Sequence, residues 1–320
     1  MLRERIPVLA AALVALAVAA PAAHAKPAPL TTVSCGQVIT TSIRVANDLS
    51  GCQTGLVVGA SNITIDLNGH TIAGAGDTPF GAGVLNDQGY DRVTMRNGTV
   101  RDFTYGIYGE GASLNVVDRI TALDNLVGVG FVESDRITIT NSRASGGQIG
   151  FNLGFMTTDS RVSRVTTSDV EQGVVLSVLS RNNLVERSDI EAINFGVQVF
   201  ESSDHTISRN SITGAAIGVL VEGGSTGITV VRNEITDSSS TGISVTEAYD
   251  VVLRDNLVTD SAGDGIWVHA PAVDVLLTRN RAYEDGQLGI RADAPVIDGG
   301  GNRAARNGDP RQCVGVTCRR

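Results

Sequence analysis

A glycine followed by an apolar residue recurs along this chain at Gly83, Gly106, Gly128, Gly150, Gly173, Gly196, Gly218, Gly242, Gly265 and Gly289, in steps of 23, 22, 22, 23, 23, 22, 24, 23 and 24 residues. A further member, Gly55-Leu56, precedes the first by 28 residues, and the excess fits a longer loop around Asp77 to Gly81. A fixed period in this range marks a solenoid, in which each repeat buries its apolar side only against its neighbours. After each glycine the pattern runs apolar, variable, apolar, as in Val197-Gln198-Val199, Val219-Leu220-Val221 and Ile266-Trp267-Val268. Such alternation with β-branched residues signals a half-buried strand. A second strand is expected about ten residues upstream, as in Thr206-Ile207-Ser208, and a third at Asn210-Ser211-Ile212. No coil holds a helix-length segment with 3.6-residue spacing, and leucine does not dominate, so helical and leucine-rich solenoids are set aside.

An asparagine often closes the second strand: Asn68, Asn97, Asn141, Asn210, Asn233, Asn256, Asn280 and Asn302. Asparagine tolerates the left-handed backbone region and bonds to nearby main chain, so one per coil predicts a ladder. The repeated glycine is expected where the chain turns sharply.

Residues 1–25 read as a signal peptide. Arg3 and Arg5 form its basic start, Ile6 to Ala20 its apolar run, and Ala23-His24-Ala25 its cleavage site. The run is shorter than the roughly 20 residues needed to span a bilayer. No later stretch is long and apolar enough to cross one. The mature protein is therefore expected to begin near Lys26, secreted and without membrane insertion. The chain carries −9, and removing the peptide, whose net charge is +1, leaves −10. That balance opposes nucleic-acid binding, which relies on Lys and Arg neutralising phosphates. The four cysteines form two close pairs, Cys35 with Cys52 and Cys313 with Cys318, one near each end. In an exported chain this predicts two local disulfides. The expected layout is a signal peptide at 1–25, an N-terminal segment and cap at 26–54, the repeat domain at 55–302 and a tail at 303–320.

The stretch TISRNSITGAAIGVLVEGG (206–224) and its neighbours resemble the parallel β-helix repeat of the pectin-lyase-like superfamily, over roughly residues 55 to 302. The resemblance implies an all-β, single-stranded, right-handed parallel β-helix of about 10–11 coils of 22–24 residues, with three short strands per coil. That superfamily includes polysaccharide lyases, glycoside hydrolases and uronate epimerases, and also tailspikes, adhesins and periplasmic proteins that assist copper-enzyme maturation. The Asn-Thr-Asp, Asp-Asp, Gly-His-Gly and Arg-Ile-Lys motifs of polygalacturonase-like hydrolases are absent here. So are the Asp-Pro-His-Asp of mannuronan epimerases and the Trp-Ile-Asp-His of pectate lyases, of which GIWVHA (265–270) is a faint echo. No catalytic residue is carried over, and whether the chain is an enzyme stays open.

The resemblance places substrate along the sheet equated here with the Gly-apolar strand. Counting from each glycine, positions +1 and +3 point inward and +2 and +4 outward. The outward +2 series from Gly106 is Tyr108, Gly130, Asn152, Val175, Gln198, Leu220, Ser244, Trp267 and Arg291. The +4 series is Glu110, Val132, Gly154, Ser177, Phe200, Glu222, Thr246, His269 and Asp293. The middle coils offer no acid–base chemistry, but the C-terminal coils do. Trp267, the single tryptophan, offers a stacking face for a sugar, and Arg291 a partner for a uronate carboxylate. Ser244 lies on the preceding strand. His269, Asp293 and Glu222 are the candidate acid–base groups. The bland alternative is a solvated outer face.

Two stripes carry further readings. Arg96, Arg119, Arg164, Arg187, Arg209, Arg232, Arg254 and Arg279 stand nearly one per coil. They suggest an ion-paired face, with Glu186, Glu234 and Asp255 as partners, or a track for an anionic polymer. Glu133, Glu201 and Glu247, with Asp135, Asp159, Asp204, Asp250 and Asp274, read as turn caps or as oxygen ligands for Ca2+. No other cofactor is expected. His70 and His205 read as isolated surface histidines without metal-ligand spacing. The expected function is a monomeric secreted protein that binds, and could process, extracellular or cell-wall polysaccharide. The alternatives are a lyase, hydrolase or epimerase with non-standard catalytic residues, and a non-catalytic surface scaffold.

Overall fold

A computed structural model describes residues 28–76 and 80–319. The signal peptide expected at 1–25, Lys26 and the centre of the long loop lie outside them. The described residues contain strands and turns and no helix. Thirteen strands, from Gln37–Ile39 to Cys313–Val314, form one parallel stack, here called the front sheet. The remaining strands form two more parallel stacks, merged where Thr94–Arg101 and Val116–Leu123 run unbroken across both. Three stacks joined by short turns make a parallel β-helix. Thirteen rungs are more than the 10–11 coils expected. The strands Leu30–Thr31, Gln37–Ile39 and Ile43–Val45 of the expected cap, and Cys313–Val314 of the expected tail, pair into the same stacks. These terminal rungs lack the glycine signature, which is why the periodicity does not reach them. Both disulfides are formed, with Cα separations of 5.4 Å for Cys35–Cys52 and 6.2 Å for Cys313–Cys318.

The alternation after each glycine works as the period-two rule requires. Ile107, Val129, Phe151, Val174, Val197, Val219, Ile243, Ile266 and Ile290 are wholly buried and stack in register. They line a thin aliphatic core that runs the length of the solenoid.

The glycines serve a purpose other than the expected one. None of the ten has a positive φ. A Cβ at Gly106 would meet the Gly128 carbonyl oxygen at 2.4 Å, and one at Gly128 the Gly150 oxygen at 2.5 Å. Close approach of one coil's backbone to the next is what excludes a side chain there.

The asparagines divide into two groups. Asn68, Asn97 and Asn141 take the left-handed conformation, with φ of 54°, 58° and 49°. In the later coils that place goes to Arg187, Arg209, Arg232, Asp255 and Arg279, with φ from 51° to 58°. Asn210, Asn233, Asn256, Asn280 and Asn302 stand one residue further on and are buried. In each of the first four, the amide donates to a strand carbonyl and to the next asparagine's Oδ1, which also accepts from the backbone N–H. The ladder is therefore internal. It satisfies backbone groups that a corner turned into the core would leave unpaired.

Candidate functional site

The outward +2 column forms a continuous register: Tyr108, Gly130, Asn152, Val175, Gln198, Leu220, Ser244, Trp267, Arg291. Its chemistry gathers at the C-terminal end. Trp267 Nε1 donates to Asp293 Oδ2 at 2.9 Å. The His269 ring stacks on Trp267 with centroids 3.7 Å apart and planes 24° from parallel. The Arg291 guanidinium carbon lies 4.2 Å from the indole centroid, a cation–π contact. The indole is therefore already covered in part by two neighbours and is not a bare platform.

Arg291 is also committed. Its Nε donates to Asp293 Oδ1 at 3.0 Å and its terminal nitrogen lies 2.9 Å from Oδ2, a bidentate pair. Asp264, which the repeat pattern did not single out, adds a carboxylate oxygen 3.7 Å from Arg291. Asp264 is buried, and its other oxygen accepts from the Leu288 N–H at 2.9 Å. A residue in the turn before a glycine gives no sequence signal that it will lean across a coil.

Ser244 and His269 face each other, Oγ to Nε2, at 3.1 Å. Ser244 is 4% exposed, so it suits anchoring the imidazole better than attacking a polymer. Burial holds the His269 imidazole below the usual histidine value, with Arg291 acting the same way and Asp293 opposing. Asp293 is held below the usual carboxylate range by Arg291 and Trp267. At neutral pH the site thus presents a neutral imidazole beside an ionised carboxylate. Glu222 is not drawn in. Its carboxylate accepts from Gln198 Nε2 at 2.7 Å, one coil back, and Thr246 occupies the rung between it and His269.

Beside this cluster lies an open depression of about 560 Å³. Arg291, Asp293 and Gln287 line it with Asp309, Arg311 and Val314 from the tail. Asp309 accepts from the Arg311 guanidinium and backbone, which hold its carboxyl down to about 2. The C-terminal segment therefore forms one wall.

The arginine stripe is largely ion-paired. Arg96 meets Asp66 at 3.1 Å and Arg119 meets Asp118 at 2.8 Å, while Arg187 shares Glu186 with Arg161, which stands outside the stripe. Asp255 collects Arg279 at 2.7 Å, Arg232 at 3.9 Å and Arg254 at 4.0 Å. In the acidic stripe, Asp159, Asp204, Asp250 and Asp274 hold left-handed turn positions, with φ from 50° to 59°. Among the described residues no group of three or more His, Cys, Asp or Glu is placed to hold a metal ion.

His205 is not a surface histidine. It is wholly buried, its Nδ1 accepts from the Asn183 N–H at 3.0 Å, and its Nε2 faces Ser180 Oγ at 3.2 Å. It takes an asparagine-like place between coils, and burial pushes its imidazole down to about 4. His70 sits at the surface, 2.9 Å from Asp48.

Residues 172–294 match the family model "Right handed beta helix region", and residues 82–215 match "Periplasmic copper-binding protein (NosD)". No curated protein matches the chain. Among solved structures, the chain is similar to the catalytic domain of a GH87 α-1,3-glucanase. The TM-score is 0.68, with 14% identity over 86% of this chain and 64% of that one. The A-module of the Azotobacter vinelandii mannuronan C-5 epimerase AlgE4 gives a TM-score of 0.61 with 18% identity, covering 85% and 88%. The periplasmic alginate epimerase AlgG, as a double mutant, gives 0.58 with 15% identity, covering 88% and 77%. At these identities the likeness is one of fold. The chain has the fold of a right-handed parallel β-helix.

Proposed function

We propose that this β-helix protein is exported and binds an extracellular or cell-wall polysaccharide along the outward side of its front sheet, gripping it at the C-terminal end. The observation that carries the proposal is the cluster of Trp267, His269, Arg291 and Asp293 beside a depression of about 560 Å³. An aromatic ring with convergent polar groups on a rigid sheet suits a ligand that presents both C–H faces and hydroxyls. Two disulfides fit an oxidising compartment. Similar solved structures include polysaccharide epimerases and a glucanase. The test is to incubate the intact protein with a panel of neutral and uronate polysaccharides and follow both co-elution and polymer length. Co-elution with one polymer is the expected result. No co-elution with any polymer, and no shortening, overturns the proposal in favour of a passive scaffold.

A second reading makes the same cluster catalytic. Its support is the neutral His269, fixed by Ser244 within a site that also holds an ionised Asp293. A positioned imidazole of this kind can take a proton from a bound sugar. Replacement of His269 by Ala then reduces turnover by about two orders of magnitude or more. An unchanged rate removes His269 from the chemistry.

A further inference from the structure

A second pocket lies at the opposite end of the same outward column. It is a cleft of about 240 Å³, and its walls include Ala82, Leu85, Asp87, Tyr105, Tyr108 and Glu110. Leu85 and Tyr108 are register neighbours in the +2 column, so the cleft continues the surface that carries Trp267. Tyr105 and Tyr108 pack with centroids 4.8 Å apart at 56°, forming a tilted aromatic wall. The Tyr108 hydroxyl donates to Glu110 Oε2 at 2.9 Å, which orients that carboxylate before any ligand arrives. Asp87 is exposed on the same wall.

We infer that this cleft is a second saccharide subsite, taking a neutral pyranose ring of the same polymer that the Trp267 cluster holds. The inference rests on the reading of the front sheet as a glycan surface. A pyranose has an apolar C–H face and a rim of hydroxyl donors; the cleft has an aromatic wall and two carboxylate acceptors. A volume of about 240 Å³ admits one ring rather than two. Two carboxylates with no cation among the described lining residues repel a uronate and accept hydroxyls, so the charge pattern itself selects a neutral sugar.

The column between the two sites carries no charge: Gly130, Asn152, Val175, Gln198 and Leu220 fill it from Tyr108 to Ser244, with Asn152 and Gln198 partly exposed and Gly130, Val175 and Leu220 buried. Tyr108 and Trp267 stand seven rungs apart, roughly 34 Å at the ordinary strand spacing. A disaccharide is far shorter than that distance, so only a chain of several sugars reaches from one site to the other. Shorter chains can fill either end but cannot bridge them.

The experiment titrates the intact protein, by calorimetry, with neutral gluco-, galacto- and manno-disaccharides, their octasaccharides, and digalacturonate. The variants are Tyr108→Ala, Glu110→Gln and Trp267→Ala, each checked for an unchanged far-UV circular dichroism spectrum. Glu110→Gln keeps the shape of the wall and guards against a folding defect in Tyr108→Ala. We expect one neutral octasaccharide to lose at least tenfold in affinity in Tyr108→Ala and in Glu110→Gln. The matching disaccharide should still bind Trp267→Ala through the cleft and Tyr108→Ala through the other end, and should fail to bind the double variant Tyr108→Ala/Trp267→Ala. Octasaccharide binding lost in Trp267→Ala yet unchanged in both other variants overturns the second subsite and leaves the first site standing. Digalacturonate binding that depends on Tyr108 and equals the neutral sugars overturns the neutral assignment. No binding of any sugar by the unaltered protein removes this inference together with the function it rests on.

Discussion

Trp267 and Asp293 lie on adjacent rungs of the front sheet, and the indole N–H of the first donates to the carboxylate of the second at 2.9 Å. Asp293 also takes the fork of Arg291, whose guanidinium lies over the indole, so ring, acid and base fix one another. Trp267→Ala therefore removes a contact surface and releases both neighbours. Polysaccharide binding should fall by at least tenfold with unchanged far-UV circular dichroism. Trp267→Phe, which keeps a ring but loses the donor, should fall between the two. Equal affinity of all three proteins places the ligand elsewhere.

The interior histidine gives the fold an acid limit. The His205 imidazole sits at about 4 in the folded protein, against 6.5 when free. The unfolded chain then binds the extra proton between those values. The histidine's contribution to stability is whole above pH 6.5 and is lost as pH falls toward 4. His205→Asn, which keeps a side-chain acceptor for the Asn183 N–H, should flatten the fall in urea midpoint between pH 6.5 and 4. An unflattened profile means that other groups carry the acid sensitivity.

Asp285 works in the opposite direction. It is buried, its Oδ1 accepts from the Ser261 N–H at 3.0 Å, and its Oδ2 has no partner. Burial pushes its carboxyl up to about 7. The folded state thus holds the proton between 3.8 and 7, and the stability linked to it is present below 3.8 and lost as pH rises through 7. In the same column Asn125 and Asn307 each donate an amide proton to a strand carbonyl. Asp285→Asn should therefore stabilise the protein at pH 8 by about 2 to 4 kcal/mol, and by little at pH 4. A destabilised variant at pH 8 contradicts the assignment.

Backbone approach between coils sets a strict limit on side-chain size. A Cβ at Gly218 would lie 2.4 Å from an Ile235 methyl and 2.6 Å from the Gly242 oxygen. Gly218→Ala should lower stability by about 3 kcal/mol, at the upper end of overpacking costs. Gly69→Ala is a different test, because Gly69 has open space but a φ of +87°. Its cost should stay near 1 to 2 kcal/mol, the price of left-handed backbone alone. Denaturant midpoints measured side by side separate the two causes.

Much of this was legible because one period controls inside and outside at once. The +2 column from Tyr108 to Arg291 follows from the glycine count alone, and every member pairs in that order. What the count cannot convey is lateral reach. It gives Glu222 and His269 the same column, yet Glu222 turns back to Gln198, while Asp264, in no outward column, reaches Arg291. It also cannot tell why a residue type recurs. The glycines read as flexible corners and are sites of contact; the asparagines read as left-handed residues, and five of them are interior brackets. His205 reads as an isolated surface histidine, and only the hydrogen bond its Nδ1 accepts from the Asn183 N–H of the preceding coil shows that the ring lies inside.

The asparagine ladder has a consequence for how such a molecule changes length. Each bracket is completed by the coil that follows it, and in the separate column of Asp285 the tail residue Gln312 does the same for Asn307. Every rule of assembly is thus written between neighbours, and none refers to the total number of coils. Duplicating or deleting one whole repeat, such as residues 196–217, leaves every junction chemically familiar, whereas cutting within a repeat breaks ladder, glycine contact and strand register together. A lineage carrying this architecture can lengthen or shorten its front sheet by recombination at repeat boundaries, one rung at a time.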